Sequence, residues 1–545
     1  MSAVFSFDSI GSITASISDS STNTFIPGEP ITLKLCEKPR QQKSSSEITI
    51  LVRNHAGIVV DSQQRTFSRA SNDSNCLSVN MPNSRLGYYR AEISTDGIGV
   101  PSPLGSRPAG YQTYAIVSDP RARKRTPEER TFFGMQGAFN KDNDVLALLG
   151  VRWVLGGYSW RKLGAYWQSK TPDSLQGIDG IPSYDWVRTY KTGAPWEVYT
   201  LPTLFMIDPV AHKPFIRQST VAKHTGALSP LGEKAWQQYC GSVARSYMHK
   251  YPNRTRRIYQ ITWEPVPPWG FKGSPEELVK IYKIAYLTIH KIDDKAMIIG
   301  PTTAPLNKKV LEWNRLLLEA GLNRYLDGFS IHPYVGFPPR FPPEEHGFLE
   351  NVRLVRIMLS NYFPDDFPIF GTEQGYEAEA TVESELSQAL GIIRSNLILL
   401  GEGWAMNIAF YNHDFYRPGS HIKTGGYGFY YALDPSVDFG DKMISPKPVA
   451  PAYSAMTSLL EGHRSIGLVA GLKGTAMGYI YEGDNDIVIA AWDYGNNPAV
   501  VEIAVEADEV EIYDMMGNMI KREVVKDHLV TQLNNEPLYI RYRKD

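Results

Sequence analysis

A glutamate in an unusual setting stands in the stretch ITWEPVPPWG, residues 261–270. Glu264 follows Trp263 and precedes three prolines and a second tryptophan. An apolar neighbourhood favours the protonated form of a carboxyl group, which is the form that a general acid requires. We therefore predict that Glu264 is a proton donor. The alternative is a solvated loop glutamate, because WEP alone is a weak signal.

A second carboxylate, Glu373, lies in the stretch PIFGTEQGY, residues 368–376. Its threonine, glutamine and tyrosine neighbours can hydrogen-bond a carboxylate and so hold it ionised. The stretch DGFSIHPY adds His332 and Tyr334, and Tyr334 could donate one of those bonds. The alternatives are a helix cap at TEQG and a core histidine at position 332.

Two carboxyl groups in contrasting surroundings suit glycoside hydrolysis. Retaining glycosidases use an acid/base carboxyl group and a nucleophilic carboxylate about 5 to 5.5 Å apart. The surroundings favour Glu264 as the acid/base and Glu373 as the nucleophile. This chemistry needs no metal or organic cofactor, and we predict none.

The elements that must position these groups are eight short apolar strands, separated mostly by helical stretches, from about residue 131 onward. Eight β/α units predict a TIM barrel more readily than a doubly wound open sheet. Working residues of such barrels follow the C-terminal ends of strands. The fourth strand ends at Glu264, the sixth at His332 and Tyr334, and the seventh at Glu373. The predicted strands are FFGMQGA, VRWVL, TLFMI, IYQITW, AMIIG, DGFSIH, FPIFGT and WAMNIAFY.

Strand-rich segments flank the barrel on both sides. Short alternating runs such as EITILVRN and LGYYRAEIS precede it, and runs such as DIVIAAWDYG and EVEIYDMMGN follow it. We therefore predict an α/β chain with three domains. Residues 1–122 form an N-terminal β-sandwich, residues 123–464 the (β/α)8 barrel, and residues 465–545 a C-terminal β-sandwich.

Bulk properties exclude several classes of partner. The net charge of −2 over 545 residues gives no sign of nucleic acid or a membrane surface as a partner. No run of about 18 apolar residues predicts a membrane span. The N-terminus lacks a secretory signal, so the expected location is cytoplasmic for a complete chain and extracellular if a signal was removed. Oligomeric state is not readable.

The three cysteines predict no zinc site. Cys36 and Cys76 fall in one early segment and could pair, but the pattern favours two free buried thiols. Cys240 shares a helical stripe with Trp236 and Val243, so we expect it in a core.

Aromatic residues concentrate in the middle of the chain, where ten of the eleven tryptophans lie between Trp153 and Trp404. Long barrel-top loops usually carry function, and flat rings stack on sugar faces. We predict substrate contacts from Trp263, Trp404 and the long segment of residues 156–200, which includes Tyr158 and Trp160. Strand eight ends in Asn412, His413 and Asp414, which could contact a sugar or bind a metal. Because no third clear metal ligand is present, we predict a sugar contact, from Asn412 in particular. About half of the rings in the long segment are expected only to pack the loop onto the barrel.

Together these motifs resemble clan A glycoside hydrolases, and family 39 in particular. GVRWVLGGYSW, ITWEP, DGFSIHPY, PIFGTEQGY and SPKPVAPAYSAM carry the resemblance, which covers residues 130–545 well and the first 120 only in outline. It implies a retaining mechanism with Glu264 as acid/base and Glu373 as nucleophile. It also implies that His332 and Tyr334 line the cleavage subsite.

Two positions depart from this resemblance. Trp263 stands where relatives have an asparagine that binds the sugar 2-hydroxyl, and Leu155 stands where an arginine supports the nucleophile. Arg152 should point to the opposite face of the strand from Leu155. The substrate could carry an unusual group at its 2-position, or Gln136, Asn140 or Asn412 could replace the lost contacts. A third explanation is a barrel that binds glycans without cleaving them.

The sequence therefore predicts a retaining O-glycosidase that acts on an oligo- or polysaccharide. The alternative is a non-catalytic carbohydrate-binding barrel. A non-glycosidic hydrolase has less support, because no Ser/His/Asp or HExxH pattern stands out. The sugar, the linkage and endo or exo attack cannot be read from the sequence.

Overall fold

The structure is a computed structural model, and part of the chain can be described. The described residues are 13–17, 20, 22–37, 47–67, 75–95, 98–100, 110–123, 126–137, 144–159, 192–205, 212–213, 225–268, 270–336, 339–379, 381–414, 426–432 and 444–544. No helix in these ranges is long and apolar enough to cross a membrane.

Eight parallel strands form a closed barrel in chain order, which confirms the predicted TIM barrel. The first strand pairs with both the second and the eighth, and this pairing closes the sheet. All eight predicted runs supply one strand each. Barrel strands one to eight are Phe133–Gln136, Trp153–Ser159, Tyr199–Phe205, Arg257–Ile261, Ala296–Thr303, Gly328–Ile331, Ile369–Gln374 and Met406–Ala409.

Amphipathic helices cover the outside of the barrel. The helix after strand four begins at a capping box, in which the Glu277 backbone N–H donates to Ser274 Oγ and the Ser274 N–H donates to Glu277 Oε2. Its buried face includes Leu278, Ile281 and Ala285, the spacing of one helical stripe. The helices are Asp144–Leu148, Pro230–Lys250, Pro275–Ile292, Lys308–Glu319, Phe348–Leu359, Val382–Gly401 and Val449–Leu460.

Successive side chains along each barrel strand point alternately inward and outward, and this separates a core inside the barrel from a core between the barrel and the helices. Trp153, Leu201 and Ile258 point into the barrel, where they pack with Phe370 and Ile408. The intervening strand residues point outward and pack against the helices. The lower barrel interior is therefore filled with side chains, which leaves chemistry to the upper end.

The N-terminal region contains two sheets that share one core. The three-stranded sheet buries Leu33 and Leu35, and the larger sheet buries Ile48 and Ile50 against them. The first sheet contains Ile13–Ile17, Thr32–Glu37 and Asn75–Asn80. The second contains Thr24–Phe25, Tyr111–Ile116, Gly87–Thr95, Glu47–Asn54 and Val59–Thr66, with Ile98–Gly99 beside Gly87–Thr95.

The C-terminal region is also built of two sheets around one core. Ile489 and Ile540 of the larger sheet pack with Ile503 and Leu529 of the smaller one. In spatial order the larger sheet contains Arg464–Leu468, Ala476–Glu482, Asp486–Asp493, Leu538–Arg543, Glu509–Tyr513 and Met519–Val524. The smaller contains Ala499–Ala504 and His528–Leu533.

Short elements complete the described chain. Two small sheets contain His212–Lys213, Thr225–Leu228 and Phe271–Lys272, and Tyr430–Ala432 with Ile444–Pro446. Single 3-10 turns lie at Pro120–Ala122, Glu128–Arg130, Leu322–Tyr325 and Glu344–His346.

The cysteine expectation is corrected in the N-terminal region. Cys36 and Cys76 lie directly opposite each other on adjacent antiparallel strands and form a disulfide, not two free thiols. The register of the two strands places the Cα atoms of Cys36 and Cys76 4.1 Å apart, and this proximity cannot be read from their spacing in the sequence. Cys240 is buried among Trp236, Val243 and Tyr247, as expected.

Candidate active site

Two buried glutamates meet at the C-terminal end of the barrel. Glu264 follows strand four and is 2% exposed, while Glu373 lies near the end of strand seven and is 5% exposed. His332 and Tyr334 follow strand six and are also buried. The structure thus brings four of the predicted site residues together, each from the strand end that the sequence indicates.

His332 lies between the two carboxylates. Its Nδ1 atom is 2.9 Å from Glu264 Oε1 and 3.8 Å from Glu373 Oε2. One ligand atom from each of the three residues lies within 4.8 Å of the others. Carboxylate oxygens at this distance match the short separation of retaining glycosidases and leave less room than an inverting enzyme requires for its water.

Tyr334 holds the second glutamate. Its hydroxyl donates a 2.9 Å hydrogen bond to Glu373 Oε1. Burial, and then the Glu373 carboxylate, raise the pKa of Tyr334 well above its ordinary value. The phenol therefore keeps its proton at neutral pH and remains a donor, which favours the ionised form of Glu373.

The backbone around Glu264 has an unusual conformation. Thr262 has φ 66° and Glu264 has φ 46°, in the left-handed region that few non-glycine residues adopt. The Glu264 N–H donates to Thr302 O at 2.9 Å, and Glu264 O accepts from Val266 N at 2.8 Å. A Cβ atom on Gly270 would come within 1.9 Å of Glu264 O, so only glycine fits there. Such conformations cost about 1 to 3 kcal/mol each and cluster at functional sites.

Trp263 contributes a ring beside His332. The two ring centroids are 5.2 Å apart with an interplanar angle of 77°, an edge-to-face contact. The indole also packs against the barrel interior. A bulky ring therefore occupies the position where the family resemblance implies a small amide side chain.

Two tyrosines that the sequence did not single out also lie near the site. Burial, and then Glu373, raise the pKa of Tyr411, which follows strand eight. Burial, then Glu377 and Glu373, raise the pKa of Tyr427. Both phenols therefore lie within electrostatic reach of Glu373. Their signal in the sequence was the aromatic run after strand eight.

The barrel interior also carries polar groups that sequence reasoning missed. Thr203 and Gln260 are register partners on strands three and four and are fully buried. Within the described chain, Thr203 Oγ1 and both polar side-chain atoms of Gln260 have no hydrogen-bond partner. Thr203 and Gln260 lie two residues after Leu201 and Ile258 on the same strands, so their side chains also point into the barrel, one layer nearer the upper end. Alternation with those apolar residues was the available signal.

Asn412 lies near the upper rim, and Trp404 does not. Asn412 is buried after strand eight, and its N–H donates to Gln136 O at 3.1 Å. Trp404 precedes strand eight and packs in the core between barrel and helices, at the opposite end from the carboxylates. The expectation of a substrate contact from Trp404 is therefore corrected. Its position at the start of the strand, not the end, is the reason.

The long aromatic segment contributes little to the described site. Tyr158 lies in strand two, where only its backbone is described, and Trp160 and Asn140 lie outside the described residues. Trp196 precedes strand three and contacts Arg152 at the lower end. Leu155 packs inside the barrel, whereas Arg152 lies below it, so Arg152 is remote from Glu373.

Two side chains near Asn412 form a buried ion pair. Lys447 Nζ lies 2.6 Å from Asp414 Oδ1, and burial raises the pKa of Asp414 despite this partner. Asp414 is thus engaged in an ion pair, which argues against the metal alternative at this position.

Within the described residues, one group of side chains has the geometry to hold a metal ion. It consists of Glu264, His332 and Glu373. A cation bound there would engage both carboxylates at once and so prevent their separate roles as acid and nucleophile.

Comparisons with known proteins show the fold. No protein-family profile matches the chain, and no curated protein matches its sequence. A family 39 glycoside hydrolase from the gut symbiont Bacteroides cellulosilyticus WH2 is similar in structure, with a TM-score of 0.58 at 15% identity. The match covers 96% of this chain and 99% of that one. A conserved exported protein from Bacteroides fragilis matches with a TM-score of 0.54 at 11% identity, covering 76% and 98%.

The chain therefore has the barrel-and-sandwich fold of TIM-barrel glycoside hydrolases. The predicted resemblance to family 39 is confirmed at the level of the fold, over nearly the whole chain. At these identities the similarity concerns architecture, and the chemistry must be argued from the site.

Proposed function

We propose that the protein is a retaining O-glycosidase that acts on an oligo- or polysaccharide. The observation that carries the proposal is the pair of buried glutamates at the ends of strands four and seven, with carboxylate oxygens within 4.8 Å. A pair at this distance suits a two-step displacement. The structural similarity to a family 39 glycoside hydrolase supports the same class of reaction.

Glu373 is the proposed nucleophile. Its carboxylate attacks the anomeric carbon while the bond from that carbon to the leaving oxygen breaks. The hydrogen bond from Tyr334 stabilises the ionised form of Glu373 before attack and helps to orient the oxygen. The product of this step is a glycosyl ester on Glu373 and a free alcohol.

Glu264 is the proposed acid and base. It gives its proton to the leaving oxygen in the first step and removes a proton from water in the second. Water then attacks the anomeric carbon, the ester bond breaks, and both glutamates return to their initial states. His332, 2.9 Å from Glu264, positions the carboxyl group during both transfers.

The proposal is tested with a broad panel of oligo- and polysaccharides and quantification of released reducing ends. Glu264→Gln and Glu373→Gln variants should fold but lose activity by about 10² or more. Glu379→Gln is the matched control, because Glu379 is an exposed carboxylate only six residues after Glu373. Full activity in both site variants would refute the assignment.

Non-catalytic sugar binding is the second candidate, and Trp263 favours it. Its indole fills space beside His332 where a small polar side chain is implied by the resemblance. A binding protein would retain carbohydrates in the same panel without releasing products. If the wild type and the Glu373→Gln variant bind the same carbohydrate with equal affinity and neither releases products, the binding protein is favoured over the enzyme.

A further inference from the structure

A second cleft lies at the end of the barrel opposite the carboxylates. It has a volume of about 230 Å³ and lies where all three parts of the chain meet. Arg123 comes from the segment after the N-terminal sheets. Arg152 and Trp196 precede barrel strands two and three, and Tyr513 comes from the C-terminal sheet. This cleft is separate from the proposed active site.

Positive charge predominates in the lining. The arginine, histidine and carboxylate side chains that line the cleft are Arg123, Arg152, Arg541, His463, Glu461 and Asp486. Arg541 forms an ion pair with Asp486 at 2.6 Å, so these two charges balance. Arg123 and Arg152 then remain with one carboxylate, that of Glu461. Arg123 donates from Nη1 to Thr457 Oγ1 and from Nη2 to Ser118 Oγ and Ser454 Oγ, so it contributes positive charge while its Nη groups are engaged. Among the described residues no ion pair within 4 Å joins Glu461 to either arginine.

Several buried polar atoms in the lining lack hydrogen bonds. Arg152 is 3% exposed, and its Nε has no partner within the described chain. The same holds for Arg123 Nε, Glu461 Oε2 and both ring nitrogens of His463, although His463 Nε2 lies 3.4 Å from Asp486. Buried polar groups are normally satisfied, so a cluster of exceptions around a cavity indicates a missing ligand or water.

We propose that this cleft binds a small organic anion, a carboxylate or phosphate carried on a body about the size of one sugar ring. The buried guanidinium group of Arg152, whose Nε has no partner in the described chain, is suited to both kinds of oxyanion. The volume exceeds the share of one water, about 30 Å³, several times over. The rings of Trp196 and Tyr513 offer apolar surface to the body of the ligand.

Glu461 makes the binding depend on pH. Burial raises the pKa of Glu461 to about 7, against the opposing effects of Arg152, two backbone N–H groups and Arg123. Burial lowers the pKa of Arg123 to about 10, so that group stays charged near neutrality. As the pH falls through 7, Glu461 takes up a proton and a negative charge leaves the cleft. An anion should therefore bind more tightly at pH 6 than at pH 8.

The test is isothermal titration of the full chain with D-glucuronate, glucose 6-phosphate, inorganic phosphate and uncharged glucose. A charged sugar should bind about tenfold more tightly than glucose, and Arg152→Gln should abolish that difference. Tight binding of glucuronate alone identifies a carboxylate ligand, and tight binding of the phosphates alone identifies a phosphate ligand. Either result supports the proposal.

Two further variants keep the test decisive. Glu461→Gln keeps the shape, should bind the charged probe about threefold more tightly at pH 8, and should reduce the dependence on pH. Glu373→Gln should bind the charged probe unchanged, because the two sites are at opposite ends of the barrel. The proposal is overturned if no charged probe exceeds glucose, or if Arg152→Gln and Glu461→Gln, both folded by circular dichroism, bind like the wild type.

Discussion

At the scale of single residues, the contact between Tyr334 and Glu373 offers a specific test. Tyr334→Phe removes the donor and leaves the ring, so kcat/KM should fall about ten- to hundredfold, the range expected for a hydrogen bond to a charged group. A hydrogen bond to the ionised form lowers a carboxyl pKa, so its loss raises the pKa of Glu373. The acidic limb of the pH–rate profile should therefore move to higher pH. A profile that falls in height but keeps its acidic limb would contradict this role.

The sequence was informative about residues that end strands. Glu264, His332, Tyr334 and Glu373 each follow a short apolar run, and barrel geometry converts that position into proximity. It was less informative about Thr203 and Gln260, because their significance depends on which face of the strand points inward. Trp404 was misassigned because a tryptophan at the start of a strand has the same composition cues as one at its end.

At the scale of elements, periodicity located all eight barrel strands. Short apolar runs bounded by turn residues and separated by helical patterns indicate buried strands, and eight of them define the barrel. The edge strands Ile13–Ile17 and Asn75–Asn80 are weaker signals, because serine, threonine and asparagine interrupt their apolar residues. The disulfide was missed because it depends on strand register, which places Cys36 opposite Cys76.

That disulfide should stabilise the N-terminal sandwich. It closes a loop of 40 residues between two strands of one sheet. Replacing both cysteines by alanine should lower the free energy of unfolding of this region by about 2 to 4 kcal/mol, because the unfolded chain regains freedom. Chemical denaturation under oxidising and reducing conditions measures the effect.

A Cys240→Ser variant is a poor control for loss of the disulfide, because Cys240 is buried and its replacement would test core packing instead. The better comparison is the double variant with and without reductant, which should show no difference. A wild type that is equally stable with and without reductant would contradict the prediction.

At the scale of the whole molecule, buried polar contacts join the three parts. Asn23 Nδ2 donates to Ser445 Oγ at 3.1 Å, which links the N-terminal region to the segment before the last barrel helix. Trp492 Nε1 donates to Glu344 Oε1 at 2.8 Å, which links the C-terminal sheet to the barrel. The same glutamate forms a bidentate ion pair with Arg394 at 2.9 and 2.5 Å. These contacts agree with a bracing role for both flanking regions.

Glu344 is the junction at which this bracing can be tested. Its side chain and that of Arg394 are 3% and 1% exposed. Glu344→Ala leaves a buried guanidinium without its carboxylate, which should cost about 3 to 5 kcal/mol of stability. Glu345→Ala, at an exposed neighbouring position, should cost almost nothing. Equal melting temperatures for the two variants would show that the junction does not hold the C-terminal sheet on the barrel.

The central claim is that Glu373 becomes covalently attached to the sugar. Once the panel of carbohydrates gives a substrate, the matching 2-deoxy-2-fluoro glycosyl fluoride should trap the intermediate, because fluorine slows its hydrolysis more than its formation. Intact-protein mass spectrometry should show one added sugar, and peptide mapping should place it on Glu373, with no label on the Glu373→Gln variant. A label on another residue, or a product of inverted anomeric configuration with no label at all, would contradict the proposed mechanism.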